Sequence, residues 1–250
     1  MTRFHITLIT AAILAVLAAA FGCWPLLAAV FVALFIVIGL GVALPQMKFF
    51  GPFICEGDAS KKQVALTFDD GPDARSTPAL LGLLRESKVE AAFFCIGKRV
   101  VAETALAQRI LAEGHMLENH SFAHSNTTNF FTVPQLLADL SQAQAAIQTA
   151  TGTAPKLFRP PVGLSNPNVF RAAKKLGLRV VGWSIRSLDT KINEPEKIVA
   201  RIERGLKSGA IILLHDGNIP AERLVLTVRL LLTKLREHGY EVVRLDKLIG

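Results

Sequence analysis

An α/β domain carried behind an N-terminal helical hairpin is the architecture that this 250-residue sequence predicts. Three observations support it. From Ile6 to Met47, a stretch of 42 residues, there is no Asp, Glu, Lys or Arg. Residues 63–250 alternate short apolar strands with helices and contain no repeats. The ionisable residues of that second part gather just after its strands, where α/β folds build their sites.

Composition divides the chain in the same way. With 51% hydrophobic residues against 19% charged, it is too apolar for disorder, and three cysteines exclude a disulfide scaffold. Residues 1–50 hold only two charged side chains, Arg3 and Lys48, while the other 200 hold 26 bases and 20 acids. The net charge of +8 thus falls to +6 on a tail of ordinary soluble composition. The mean hydropathy of +0.39 owes its sign to the head.

The head is long enough for two membrane spans, since one needs about 20 residues. Gly22-Cys23-Trp24-Pro25 breaks it near the middle, so Ile6–Phe21 and Leu26–Leu44 read as two helices joined by a tight turn. A cleaved signal followed by one anchor, and a single tilted span, are the competing readings. Hydrophobicity resumes directly after Ala18-Ala19-Ala20, which favours the hairpin. Arg3, Lys48, Lys61 and Lys62 flank the two spans. They favour an integral membrane protein with the domain that follows the spans on the cytoplasmic side. Residues 1–50 are therefore assigned as the anchor, 51–62 as a linker and 63–250 as the domain.

Within the domain, strands are expected at Gln63–Phe68, Ala91–Ile96, His115–Leu117, Leu157–Arg159, Arg179–Trp183, Ala210–Leu214 and Glu241–Leu245. Helices are expected at Thr77–Glu86, Lys98–Glu113, Asn168–Leu176, Pro195–Lys207 and Ala221–His238, with a strong one at Val133–Thr149. Thr132 is the N-cap candidate of the strong helix, and Gly152 ends it. Periodicity alone does not separate an open sheet from a barrel.

The strand ends carry the chemistry. Asp69 and Asp70 follow the first strand, and His120-Ser121-Phe122-Ala123-His124 follows the third. Arg159-Pro160-Pro161 ends the fourth, Trp183 and Asp189 follow the fifth, and His215-Asp216 closes the sixth. On a helical turn, His120 and His124 would point the same way, and with one carboxylate they form the open three-ligand site of catalytic zinc. Two adjacent carboxylates repel unless a cation divides their roles, one ligating metal and the other taking a proton. Ser121 stands where a zinc peptidase needs glutamate, which excludes the H-E-x-x-H reading. His215 ends an apolar strand, so it reaches the same rim on rigid backbone and suits a general acid. His5, His115 and His238 receive no role.

Taken in order, Thr67-Phe68-Asp69-Asp70-Gly71-Pro72, His120-Ser121-x-x-His124, Arg159-Pro160-Pro161-x-Gly163, Asp189 and Leu214-His215-Asp216 resemble the five motifs of the polysaccharide deacetylase family. This is the NodB-homology or carbohydrate esterase 4 group, and the resemblance covers about residues 62–250. It implies a distorted (β/α) barrel and metal-dependent removal of an N-acyl group, acetyl or formyl, from an amino sugar. It implies Asp69 as base and Asp70, His120 and His124 as ligands of a divalent metal, most simply Zn2+ with Co2+ as a substitute. By the same resemblance His215 is the acid, Arg159 holds the base, and Asp189 orients His215. Val162 supplies a backbone donor to the oxyanion, and Pro160 and Trp183 line the substrate side.

Two departures stand out. Val162 occupies the place of the family's usual tyrosine, and Thr190 that of a tryptophan. Both remove aromatic surface that grips sugars, so an acyl sugar on a lipid becomes a stronger candidate than a long insoluble polymer. The implied partners are an N-acylated glycan or glycolipid and the membrane. Nothing suggests nucleic acid, because no basic run is interleaved with aromatics. The competing functions are a carbohydrate-binding relative without turnover, and a hydrolase of another non-peptide amide. Cys23 lies in the turn and Cys95 in a strand, and Cys55 pairs with Cys95 only if their Cα atoms approach within about 7 Å.

Overall fold

The computed structural model describes all residues, Met1–Gly250. Two helices, α1 (Arg3–Ala20) and α2 (Trp24–Ala43), pack antiparallel, with Pro25 in the first turn of α2, where its missing N–H costs nothing. Both are long and apolar enough to cross a membrane, and each is largely uncovered by the rest of the chain. A shallow apolar groove of about 430 Å³ runs between them and contains none of the candidate site residues.

The chain then builds β1 (Gln63–Asp69), α3 (Thr77–Ser87), β2 (Ala92–Cys95), α4 (Gly97–Ala102), α5 (Thr104–Ala112) and β3 (Met116–Asn119). After α6 (Val133–Thr151) come β4 (Leu157–Phe158), α7 (Pro167–Lys175), β5 (Arg179–Val180) and β6 (Ile185–Arg186). The last elements are α8 (Pro195–Arg204), β7 (Ala210–His215), α9 (Ala221–Glu237), β8 (Glu241–Val242) and α10 (Leu245–Ile249). The strands form one curled sheet in the order β5-β4-β3-β2-β1-β7-β6, every pair parallel, with β8 beside the start of β1. This is a distorted (β/α) barrel.

Residues expected as a linker complete the curl. Ile54 pairs in parallel with Val181, Glu56 pairs antiparallel with Ala210, and Phe53 and Cys55 are buried. α10 covers the same end, with Leu245 and Leu248 buried against Ala65 and Ile211.

Strand alternation positions the site. On β1, Val64, Leu66 and Phe68 face the outer helices, so Ala65, Thr67 and Asp69 face the barrel interior. On β7, Ala210, Ile212 and Leu214 face outward, and Ile211, Leu213 and His215 inward. The two strands pair with Asp69 directly beside His215. Phe68 and Phe93 stack at 5.3 Å on the outer side and fix the central strands.

Several elements differ from their expected form. Eight strands are present where seven were expected: the strand expected at 179–183 is shortened to Arg179–Val180, with Val181 in a single bridge to Ile54, and Ile185–Arg186 adds an edge strand beside β7. The helix expected at Lys98–Glu113 is two helices broken at Glu103, where the Thr104 hydroxyl donates to the Val100 carbonyl and competes with the helix ladder. α6 begins as expected, with Thr132 and Gln135 forming a capping box and Gly152 ending it in the left-handed region. Cys55 and Cys95 are separate buried thiols, and burial raises that of Cys55 to about 11.

Candidate active site

The carboxyl ends of β1, β3 and β7 converge with the chain after β4. Asp70 takes a left-handed backbone, φ 73°, immediately after the strand. That turn brings its Oδ1 within 3.4 Å of His120 Nε2 and 3.1 Å of His124 Nε2. The three ligand atoms all lie within 4.8 Å of one another.

His120 and His124 converge for a reason other than a helical turn. Residues 120–124 form a loop in which Ser121 and His124 have φ of 65° and 48°. Asn119 accepts the Ser121 N–H, Asp139 on α6 accepts those of Phe122 and Ala123, and the Ser121 hydroxyl accepts that of His124. Side-chain acceptors thus take the place of helical hydrogen bonds. His120 Nδ1 lies 2.7 Å from the Arg159 carbonyl. A carbonyl only accepts, so the proton sits on Nδ1 and Nε2 turns its lone pair toward Asp70.

The donor set suits a divalent cation. Two imidazole nitrogens and one carboxylate oxygen match a catalytic zinc site, and Asp70 Oδ1 is buried with no hydrogen-bond donor of its own. Burial opposes the charge on Asp70, but the nearby His120, with His124 and His215 behind it, holds its pKa well below the usual carboxylate range. Burial lowers the pKa of His124, whereas the charges of Asp69 and Asp70 outweigh burial and raise that of His120.

Asp69 sits beside this cluster, its Oδ2 3.8 Å from His120 Nε2. Arg159 is fully buried and donates from Nη1 to Asp69 Oδ1 at 2.7 Å and to Thr67 Oγ1 at 2.8 Å, and from Nη2 to the Gly182 carbonyl. Its guanidinium lies 4.1 Å from the Phe94 ring centre and 5.9 Å from that of Trp183. Asp189 receives His215 twice, from the backbone N–H and from Nδ1, both at 2.8 Å. Burial disfavours protonated His215, but Asp189 outweighs it and raises the pKa to about 9. With Nδ1 engaged, Nε2 is the nitrogen free to serve a substrate.

Val162 is half exposed at φ 60°, strained for a β-branched residue. Pro160 and Trp183, expected on the substrate side, are both buried. Trp183 packs so tightly on Gly163 that a Cβ there would fall 2.0 Å from the indole, so it props the loop that carries Val162.

With this geometry described, likeness to known proteins is informative. Residues 56–181 match the model of the family described as polysaccharide deacetylase. A peptidoglycan-N-acetylglucosamine deacetylase of Bacillus cereus is 37% identical over 76% of this chain and 89% of its own. The chain belongs to the polysaccharide deacetylase family. The peptidoglycan-N-acetylglucosamine deacetylase PgdA of Listeria monocytogenes is 35% identical over 76% of this chain, which spans only 40% of that relative. In structure, the barrel resembles a CE4 family pseudoenzyme from Bacillus anthracis, with a TM-score of 0.74 and 27% identity over 80% of this chain and 69% of that one.

Sequence reasoning assigned no part to Asp216. Its carboxyl is fully buried, accepts from Thr77 Oγ1 at 2.6 Å and leaves Oδ1 unpartnered, and burial pushes its pKa up to about 7. Thr67, Ser187 and the Gly182 carbonyl were missed as well. The signal for Thr67 was its inward register, two residues before Asp69 on the same strand. Ser187, which donates to Asp189 Oδ1 at 2.9 Å, carried no sequence signal.

Proposed function

We propose that the protein is a membrane-anchored, metal-dependent hydrolase that removes an N-acyl group, acetyl or formyl, from an amino sugar. The observation that carries this reading is the convergence of Asp70, His120 and His124 beside an arginine-held Asp69 and an aspartate-held His215. The named activities of the relatives, deacetylation of N-acetylglucosamine in peptidoglycan, point the same way.

In this reading Asp70, His120 and His124 hold the cation, taken as Zn2+ and replaceable by Co2+. When bound, a divalent cation polarises the acyl oxygen and lowers the pKa of water toward ~7. Asp69 accepts the proton of the attacking water, and Arg159 keeps that carboxylate fixed. The Val162 backbone N–H is the donor assigned to the developing oxyanion. His215 gives its proton to the departing amine, which would otherwise leave as a poor anion, and Asp189 holds the ring in the required tautomer. Water then supplies the hydroxyl of the released carboxylic acid, and the sugar keeps the amine.

The test is release of acetate or formate from N-acylated glucosamine saccharides by the full chain supplied with zinc or cobalt. Stoichiometric carboxylate and free amine are expected. Metal binding without turnover on any such substrate overturns the enzyme reading and leaves a carbohydrate-binding relative without turnover; the B. anthracis neighbour is likewise named a pseudoenzyme.

A further inference from the structure

The foot of the hairpin is built into the rim of the candidate active site. Ser165 N–H, in the loop after Val162, donates to the Val42 carbonyl of α2 at 3.2 Å. Gln46 Nε2 donates to the Trp183 carbonyl at 2.9 Å, one residue from the Gly182 carbonyl that receives Arg159. Pro45 is buried, and Phe4, Phe49 and Phe50 cluster with ring centres 4.9–5.8 Å apart, tying α1 to the same foot. The rim is thereby held at a set height above the apolar helices, instead of swinging on a tether.

The exposed apolar residues mark the same side. Outside the hairpin, four large apolar side chains stand well out of the domain: Val101, Phe130, Val162 and Leu226. Two of these four belong to the loops at the hairpin foot. Val162 precedes Ser165 by three residues, and Phe130, 85% exposed, follows Asn129, whose carbonyl accepts from Asn166. An aromatic ring left open beside a membrane span fits the headgroup–acyl boundary of a bilayer.

We propose that this rim rests on the bilayer through Phe130 and Val162, and that the substrate is an amino sugar linked to a lipid of that bilayer. The proposal rests on the N-acyl amino sugar hydrolase reading above. A sugar one or two units from its lipid already lies at the height of the rim, and confinement to the membrane raises its effective concentration. A soluble or wall-bound chain gains nothing from a site at headgroup height.

The test uses the full chain in phosphatidylcholine–phosphatidylglycerol vesicles supplied with zinc. Its two substrates are an N-acetylglucosamine glycoside of a dialkyl lipid and a soluble N-acetylglucosamine tetrasaccharide. The glycolipid is expected to turn over at least about tenfold faster, and Phe130→Ser should remove that advantage while leaving the tetrasaccharide rate unchanged. Independently of turnover, Phe130→Trp should add indole fluorescence that brominated lipids quench beyond the quenching of the parent protein. Equal or faster turnover of the tetrasaccharide overturns the substrate inference and leaves the hydrolase reading standing. Unquenched Phe130→Trp overturns the membrane contact. Turnover of neither substrate removes the hydrolase reading and the lipid-linked substrate together.

Discussion

His120 donates its Nδ1 proton to the carbonyl oxygen of Arg159 at 2.7 Å, and the guanidinium of the same Arg159 holds Asp69 at 2.7 Å. One residue thus sets the tautomer of a candidate metal ligand through its backbone and the orientation of the candidate base through its side chain. Its position just after β4, across the barrel from β1, makes both possible.

Arg159→Leu should damage the protein as well as its chemistry. The substitution keeps the carbonyl that orients His120 but strands a buried carboxylate and two acceptors. Breaking such a buried pair costs about 3–5 kcal/mol. Urea unfolding of the detergent-solubilised full chain should show a midpoint well below that of the parent, and an unchanged midpoint would refute the structural part of the pairing.

Asp69→Asn should separate binding from turnover. Asp69 lies outside the group of three ligand atoms, so zinc content by elemental analysis should remain close to one ion per chain. Turnover should fall by about 10²–10⁴, the usual contribution of a positioned proton acceptor. Loss of zinc together with activity would make Asp69 a ligand.

Asp189→Asn should move the alkaline limb of the pH–rate profile. The carboxylate of Asp189 raises the pKa of His215 to about 9. The proton that His215 must donate is present below that pKa and lost above it. Without the negative charge the folded pKa drops, and the limb should shift to lower pH by about 1–2 units. A cation at Asp70 draws the limb below 9 in both proteins, so the shift between them is the quantity to measure. Coincident profiles would exclude His215 as the titrating acid.

Metal affinity should weaken in acid. Asp69 and Asp70 raise the pKa of His120, so below that pKa its Nε2 also carries a proton, which an incoming cation must displace. Competition with a chromophoric chelator should give an affinity falling about tenfold per pH unit below that pKa. His124→Ala should reduce affinity throughout the range, and a pH-independent affinity would contradict displacement of a proton.

Much of the site was legible because its residues sit at strand ends. Asp69, Asp70 and His215 follow runs whose alternation sets inward and outward faces, and a register is a local property. The loop carrying His120 and His124 was legible only as a pair. Its spacing suggested a helical turn, while the structure holds it with Asn119 and with Asp139 from α6, a partner lying 16 residues beyond Ala123. The short edge strands escaped for a similar reason: two residues carry no period, and Ile185–Arg186 pairs only because β7 lies beside it.

By itself the sequence determined the two apolar helices, the α/β alternation and the ordered set of ionisable residues. Each follows from nearest-neighbour chemistry: hydrophobic runs, strand periods and caps. Tertiary structure alone decided that segment 54–56 completes the barrel, that Trp183 is a buried prop, that Asp216 is buried without a full set of partners, and that the hairpin foot braces the rim. These depend on contacts between residues far apart in the chain, 137 positions in the case of Gln46 and Trp183 and more for Glu56 and Ala210. Such contacts form only after the barrel has curled and brought distant backbone carbonyls within hydrogen-bond reach.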